Sequence, residues 1–392
     1  MIFVHHGGVT MSQGSDERNR SSLSGQKCRF AVRTSAPRVT HAFSRISVHL
    51  RNFDSSSTSS AILCLFCDST NFFFDSNLIW LAMTLLPPTV EQQKRIDEEI
   101  PVDPETRKRD IAAIREWLSK QPHLPNHMDD ARLERFLFGC KNSIERCKLI
   151  LERYFSVRTA LPEFFVVRDP LSQDLQDCCE AIHYFVLPSL TEEGHRVTIL
   201  RLRNPAVEKF SIQAISRRIL MVLDTRLMEE QCLSNIMVID LEGFGMVHFS
   251  KCSPTQSIVR KSMLAVQDSM PFRLHRVHFL HAPAFIENIL NIFYPLLKDK
   301  LVQKFRIHTG GGEELYPYMN KNILPEEWGG KAGTFDELND AWRKRIEKNR
   351  DWFLREEKIS RTDEKARLPE RKSKFLIELD GTQGSFRKLN ID

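Results

Sequence analysis

Apolar positions recur at two different periods along this chain, and the change of period divides it. From Thr89 the spacing is helical. Between Glu98 and Lys120, residues Ile111, Ile114, Trp117 and Leu118 lie three or four apart, which puts them on one stripe of a helix. Pro122-His-Leu-Pro125 ends that helix. Asp129-Asp130 precede Leu133, Phe136 and Leu137, acidic groups where the start of a helix favours them. Ser143 opens a further helix with Leu149, Ile150, Tyr154, Phe155 and Val157, and the helical module closes near Pro162.

After Gln176 the period shortens. His195–Leu202 and Ile236–Leu241 are β-rich runs, with Arg276–His281 a third and Phe305–His308 a fourth. Helical stretches at Gln213–Glu230 and Pro254–Gln267 separate them. Strands alternating with helices predict βαβ units and a largely parallel sheet. From Phe335 a charged helix carries Leu338, Trp342, Ile346, Trp352 and Phe353, followed by a polar, mobile segment. The predicted organisation is a leader over 1–82, a helical domain over 89–165, an α/β domain over 176–331 and a C-terminal helix with its tail over 332–392.

The leader has a different texture. Ser21–Ser60 is rich in serine with scattered arginines, and the apolar runs 61–67 and 77–86 are separated by Asp68, Asn71 and Asp75. Neither run reaches the ~18–20 residues that span a bilayer. No apolar run of secretory type stands close behind the N-terminus. The expectation is that Met83 begins the functional protein.

Composition changes this picture little. The chain has 392 residues, a formal charge of +5 and a pI near 8.7. That excess is too small and too dispersed for a nucleic-acid binder. Nine cysteines lack framework spacing: Cys140 and Cys147 are too far apart for a Cys-x-x-Cys pair, and Cys178-Cys179 are adjacent. They read as reduced thiols of a cytosolic protein.

Catalytic signatures are missing. There is no Gly-x-Ser-x-Gly elbow, no His-Glu-x-x-His and no Walker loop. Thr309-Gly-Gly-Gly312 lacks the Lys-Ser/Thr of a phosphate cradle and reads as a turn. On a strand, His278 points away from His281, so His275, His278 and His281 do not converge on a metal. Asp240 and Glu242 share a face at a strand end, but nothing completes an acid–base site, and a structural role is expected. No catalytic residue, metal or cofactor is predicted.

What is abundant is apolar surface. Stepping ~100° per residue from Phe285, the residues Ile286, Ile289, Leu290, Ile292, Phe293, Leu296 and Leu297 cover an arc of roughly 160°, wider than the ~100° that core packing needs. Glu287, Asn288 and Asn291 take the other side, and Pro295 should kink or end the helix. The second apolar edge suits a ligand cavity or a membrane, although an ordinary buried helix has the same pattern. Lys298, Lys300, Lys304 and Arg306 follow, Lys300 and Lys304 sharing a face if the helix resumes, while Arg273 and Arg276 precede. Such a basic flank suits an anionic leaflet.

Asp240-Leu-Glu-Gly-Phe-Gly-Met-Val-His248 resembles the Asp-x-x-Gly-x-x-x-x-His strand-turn of CRAL-TRIO lipid-binding proteins. Gln267–Arg273 and His278-Phe-Leu-His-Ala-Pro283 resemble that family's next helix end and strand, and Leu324-Pro-Glu-Glu-Trp-Gly-Gly330 its closing motif. Arg135-Phe-Leu137 is similar to its N-terminal domain. The resemblance spans about Thr89–Trp352, nearest to the α-tocopherol transfer and cellular retinaldehyde-binding branch.

The resemblance implies an α/β fold with a mixed, largely parallel sheet, flanking helices that form a lipid pocket, and a small all-α N-terminal domain. It implies a mobile gate helix over Pro283–Leu297 and a phosphoinositide cleft at Arg273, His275, Lys300 and Lys304. His275 replaces an arginine there, which makes the cleft's charge depend on protonation, and Phe138 stands where many relatives place another arginine. Strand faces and the gate arc together predict pocket and gate residues Ile239, Leu241, Phe244, Val259, Met263, Phe279, Phe285, Ile289, Ile292, Phe293 and Leu296. The expected function is non-enzymatic binding and transfer of a retinoid, tocopherol or similar lipophile by a cytoplasmic monomer in transient contact with membranes. A phosphoinositide-responsive sensor or adaptor is the alternative.

Overall fold

The computed structural model describes residues 84–367, apart from 231, 254–256 and 298. The expectations for the leader, Met83, Lys298 and the segment beyond 367 lie outside the described residues.

Thr89 starts helix α1 (Val90–Glu99) with a capping box, its side chain accepting from Gln92 N while Gln92 returns the bond. The single helix expected over 98–120 is interrupted. Pro101 and Pro104 have no N–H to donate, and a residue before proline is pushed out of helical geometry. Asp103 then caps α2 (Pro104–Ser119), accepting from Thr106 N at 2.8 Å. Asp129 caps α3 (Asp130–Gly139) and Ser143 caps α4 (Ile144–Ala160). Short α5 (Pro162–Phe165) and α6 (Gln173–Ala181) lead into the sheet.

The sheet follows the order β1-β2-β3-β4-β5. Its strands are β1 (Ile182–Leu190), β2 (His195–Leu202), β3 (Ser234–Asp240), β4 (Leu274–Leu280) and β5 (Phe305–Ile307). β1 runs antiparallel to β2, and the remaining pairs are parallel, so the sheet is mixed and mostly parallel. β1 was absent from the sequence prediction because it is buried almost throughout and has no alternation, while Pro188 argues against a strand. Its register with β2 is irregular between Val186 and Leu190. β4 starts two residues earlier than expected and stops at Leu280. His281 therefore lies outside the strand, in the left-handed region at φ 46°.

Helix α7 (Ile212–Glu229) joins two cores. Its Ala214, Ile215, Met221 and Val222 pack on the sheet, and its Leu220, Leu223 and Leu227 pack with α2–α4. Between them Asp224 is fully buried. It accepts from Arg158 Nη2 at 2.6 and 2.8 Å, from Arg168 Nη2 at 2.8 Å and from the Tyr154 hydroxyl at 2.9 Å. Helices α8 (Met246–Lys251) and α9 (Ser257–Ser269) follow β3, and α10 (Ile286–Phe293) and α11 (Asp299–Val302) follow β4.

The closing loop Leu324–Gly330 is tight. Gly329 has φ 70°, and a Cβ on Gly330 would stand 1.8 Å from the Leu324 carbonyl oxygen, so only glycine fits. Beyond it, α12 (Phe335–Lys348) and α13 (Arg350–Ile359) are part of the packed structure. Trp342 donates from Nε1 to the Val186 carbonyl at 2.9 Å, and Phe353 is fully buried. Among the described residues no helix is long and apolar enough to cross a membrane.

Candidate functional site

β3 is the middle strand of the sheet, and its two faces differ. Ile236 and Val238 point to one side and are fully buried in the main core. Met237 and Ile239 point to the other and are only half-buried. Register puts Ile239 beside Leu200 of β2 and Phe279 of β4, and Met237 beside Val277. Leu200 is half-buried as well. Met237, Ile239 and Leu200 thus keep partial solvent exposure on one face of the sheet.

Helix α10 covers the β3–β4 side of it. Ile286 and Leu290 are buried against Leu241, Val277, Phe279 and Ala282, with Ile239, Phe244 and Phe249 at the margin. Of the remaining predicted gate residues, Ile289 and Phe293 are half-buried, while Phe285 and Ile292 are 39% and 51% exposed. The apolar arc thus splits between sheet and solvent. Helical geometry ends at Phe293 and passes into a 3₁₀ turn, Tyr294–Leu296, that contains Pro295; the Leu296 side chain lies outside the described residues. Two buried aliphatic side chains hold the helix down with about 3–6 kcal/mol, and an eight-residue helix has little stability of its own. That is a weak clasp. Val259 is buried on α9 and Met263 is half-buried, and neither joins the cluster under α10.

Aromatic rings connect the strand-turn to the gate. Phe210 meets Phe244 at 6.0 Å, Phe244 meets Phe249 at 5.8 Å, and Phe249 meets Phe285 edge-on at 5.7 Å. Met246 and Val247, which open α8, are 67% and 55% exposed. Leu200, Met237 and Val277 join the predicted residues on this face, and period-2 spacing alone puts Met237 on the face of Ile239 and Val277 on that of Phe279. Phe249 gave no such signal.

Three of the four basic-cleft residues meet at the N-terminal end of β4. Arg273 donates from Nε to the Leu233 carbonyl at 2.8 Å and from Nη1 to the Phe138 carbonyl at 3.0 Å, with a further bond from Nη2 to Leu233. Its guanidinium lies 5.2 Å from the Phe138 ring. Of five N–H groups three are used, leaving one on each terminal nitrogen. Lys304 donates to the Leu274 carbonyl. His275 stacks on His195 at 4.0 Å, and His195 in turn meets the Ser234 hydroxyl through Nδ1 at 2.8 Å. Burial, then Arg276 and Lys304, holds His275 below its ordinary value. Burial, then His275, pushes His195 down to about 4. Lys300 is exposed on α11, which stops at Val302, so Lys300 and Lys304 do not share a helix as the sequence suggested: Lys304 sits in the following turn.

The three candidate metal histidines have separate partners. His275 has His195, His278 has His308 at 2.9 Å, and His281 Nδ1 has Asp240 Oδ1 at 2.7 Å. Asp240, Glu242 and His281 place donor atoms within 4.8 Å of one another. Arg201 already occupies the carboxylates, at 3.0 Å from Asp240 and 2.9 Å from Glu242. The pair works as an ion-paired strand end.

Residues 103–175 match the model described as Pinta-like, UBA domain, and residues 182–330 match the CRAL/TRIO domain. The alpha-tocopherol transfer protein-like protein of Homo sapiens is 31% identical over 261 residues, covering 66% of this chain and 75% of that one. Clavesin-1 of Xenopus laevis is 29% identical over 260 residues, covering 64% and 75%. Clavesin-2 of Homo sapiens is 27% identical over 259 residues, covering 64% and 76%. The mixed five-stranded sheet, the tight Leu324–Gly330 closure and these matches agree, and the chain belongs to the CRAL-TRIO family.

Proposed function

We propose that this protein binds one small lipophilic molecule over the Met237–Ile239 face of its sheet and transfers it between membranes, with α10 as the gate. The observation that carries this reading is the half-buried state of Met237 and Ile239 on a central strand roofed by helices. The name of one relative, alpha-tocopherol transfer protein-like, supports a lipophile of tocopherol type, and a retinoid or similar isoprenoid would suit the same apolar face.

A lipophile with ~300–500 Å² of apolar surface gains about 7–12 kcal/mol on leaving water. A membrane offers much the same, so directional exchange needs an exit that opens at the bilayer. The exposed Phe285 and Ile292, with Met246 and Val247 at the start of α8, supply an apolar edge for insertion. Arg273, His275, Lys300 and Lys304 would hold an anionic phosphoinositide head group, the two remaining Arg273 N–H groups donating to phosphate oxygens. In this reading the protein carries out no chemical step and works as a cytoplasmic monomer in passing contact with membranes.

The deciding experiment is solvent extraction of the purified protein with mass spectrometry of the extract, followed by transfer between vesicles. About one lipophile per chain, delivered faster to phosphoinositide-containing than to neutral vesicles, is expected. A protein that neither carries nor takes up lipophile would sink the carrier reading. Tight head-group binding without lipophile would favour the sensor instead.

A further inference from the structure

Beyond α13 the chain runs back along α4. Thr362 N and Thr362 Oγ1 both lie 2.9 Å from the Thr159 hydroxyl, and Asp363 N donates to the His123 carbonyl at 3.0 Å. Further on, Arg367 donates from Nη2 to the Ser156 hydroxyl at 2.8 Å and forms an ion pair with Glu152. Thr159, Ser156 and Glu152 succeed one another toward the N-terminus of α4. The strap 362–367 therefore travels antiparallel to that helix, and Arg367 is the last described residue on it.

That course points at a cleft of ≈ 300 Å³ between Arg146, Leu149, Ile150 and Arg153 of α4 and the end of α9, where Met270 and Phe272 follow. Ile150 and Met270 are buried in the core beneath, so the floor is apolar and close-packed. On the rim Leu149 is 49% exposed. Arg146 is exposed beside it, and its guanidinium has no hydrogen bond or ion pair among the described residues. Its neighbours differ: Lys148 has Glu145 at 2.7 Å, and Arg153 has Asp268 at 3.3 Å. An apolar floor, an exposed leucine and an unpaired cation together suit a segment whose apolar residues are followed by a carboxylate.

The remaining sequence holds such a segment. Leu368–Lys374 carries Glu370, Arg371, Lys372 and Lys374, and Phe375-Leu-Ile-Glu-Leu-Asp380 comes next. The linker from Leu368 to Lys374 can reach about 25 Å when extended. Glu152 and Arg146 stand about 9 Å apart along the axis of α4. We propose that Phe375–Leu379 docks in the α4–α9 cleft of its own chain, with Glu378 or Asp380 paired to Arg146. The contact covers Leu149 and ties the helical module to the helix that leads into β4.

The test is amide hydrogen exchange on the full chain, read by mass spectrometry, with carbodiimide cross-linking of the Arg146→Lys chain. Residues 375–379 should exchange at least about tenfold more slowly than in a synthetic peptide spanning 368–392. Leu149→Asp should return them to the peptide rate. Cross-links should join position 146 to Glu378 or Asp380, and in a mixture of isotope-labelled and unlabelled chains they should stay within one label. Exchange of 375–379 at the peptide rate in the unmutated chain would overturn the proposal, and so would links from position 146 to other carboxylates only. Links between labels would give the cleft to a second copy, and protection seen only after phosphatidylserine vesicles are added would assign the segment to a lipid surface. Either result would also overturn docking within the chain. The exchange outcome is decided on the unmutated chain, whatever the stability of the variants.

Discussion

Nδ1 of His278 and Nε2 of His308 lie 2.9 Å apart, with the rings stacked at 5.1 Å and 12° to each other. The bond needs an N–H on one ring and a lone pair on the other, so it cannot survive protonation of both. His278 is fully buried. Burial first, then charge on His308, pushes it down to about 3 from its ordinary 6.5. A folded value below the unfolded one means that its contribution to stability is complete above about pH 6.5 and is lost as pH falls toward 3. The urea midpoint should decline across that window, and the decline should be shallower in His278→Asn. Equal slopes in the two proteins would contradict this account.

Asp240 is fully buried, and Arg201 is the cation that neutralises it, its guanidinium also lying 4.3 Å from the Phe335 ring. Removing one partner of a buried pair strands the other. Arg201→Met is expected to cost about 3 kcal/mol in denaturant unfolding, somewhat under the full penalty because Arg201 keeps partial exposure. Adding Asp240→Asn should recover part of the loss, measured as a positive coupling in a double-mutant cycle.

Ile292 on α10 is half-exposed and touches no core cluster. Ile292→Asp should therefore leave the unfolding midpoint within about 0.5 kcal/mol of the unmutated protein. If α10 inserts into bilayers, the same change should weaken vesicle co-sedimentation at least about tenfold, the effect of losing roughly 1.4 kcal/mol of apolar transfer. Unchanged co-sedimentation would remove Ile292 from the membrane-facing edge.

His275 faces His195, Arg276, Lys304 and Glu193, and its depressed value leaves it uncharged near neutrality. A bound phosphate group favours the protonated ring. Binding to phosphoinositide vesicles should strengthen as pH falls below neutrality, because a head group would draw the depressed His275 back toward its protonated form. His275→Gln should flatten that response at the weak end, and His275→Arg at the strong end. A response of unchanged size in both variants would assign the pH dependence to another group.

The helical module was legible because its stripes and caps are local. Thr89, Asp103, Asp129 and Ser143 each accept from a backbone N–H three residues on, and that geometry needs nothing distant. β2, β3 and most of β4 were legible from β-rich runs. β1 was not, because burial on both faces erases the alternation that reveals a strand. The break at Pro101–Pro104 was within reach of the sequence, since proline's missing N–H is a local fact.

The site divides in the same way. Spacing alone put Ile239 with Leu241 on one strand face and gave α10 an apolar arc too wide for simple packing. How that arc is shared, with Ile286 and Leu290 inward and Phe285 and Ile292 outward, was decided by where the β3–β4 surface lies. The pairings His275 with His195, His278 with His308 and Asp240 with Arg201 likewise came from the fold. Each side chain carries its chemistry in the sequence, but a hydrogen bond or ion pair depends on distance and direction, and those exist only once the strands and helices have packed.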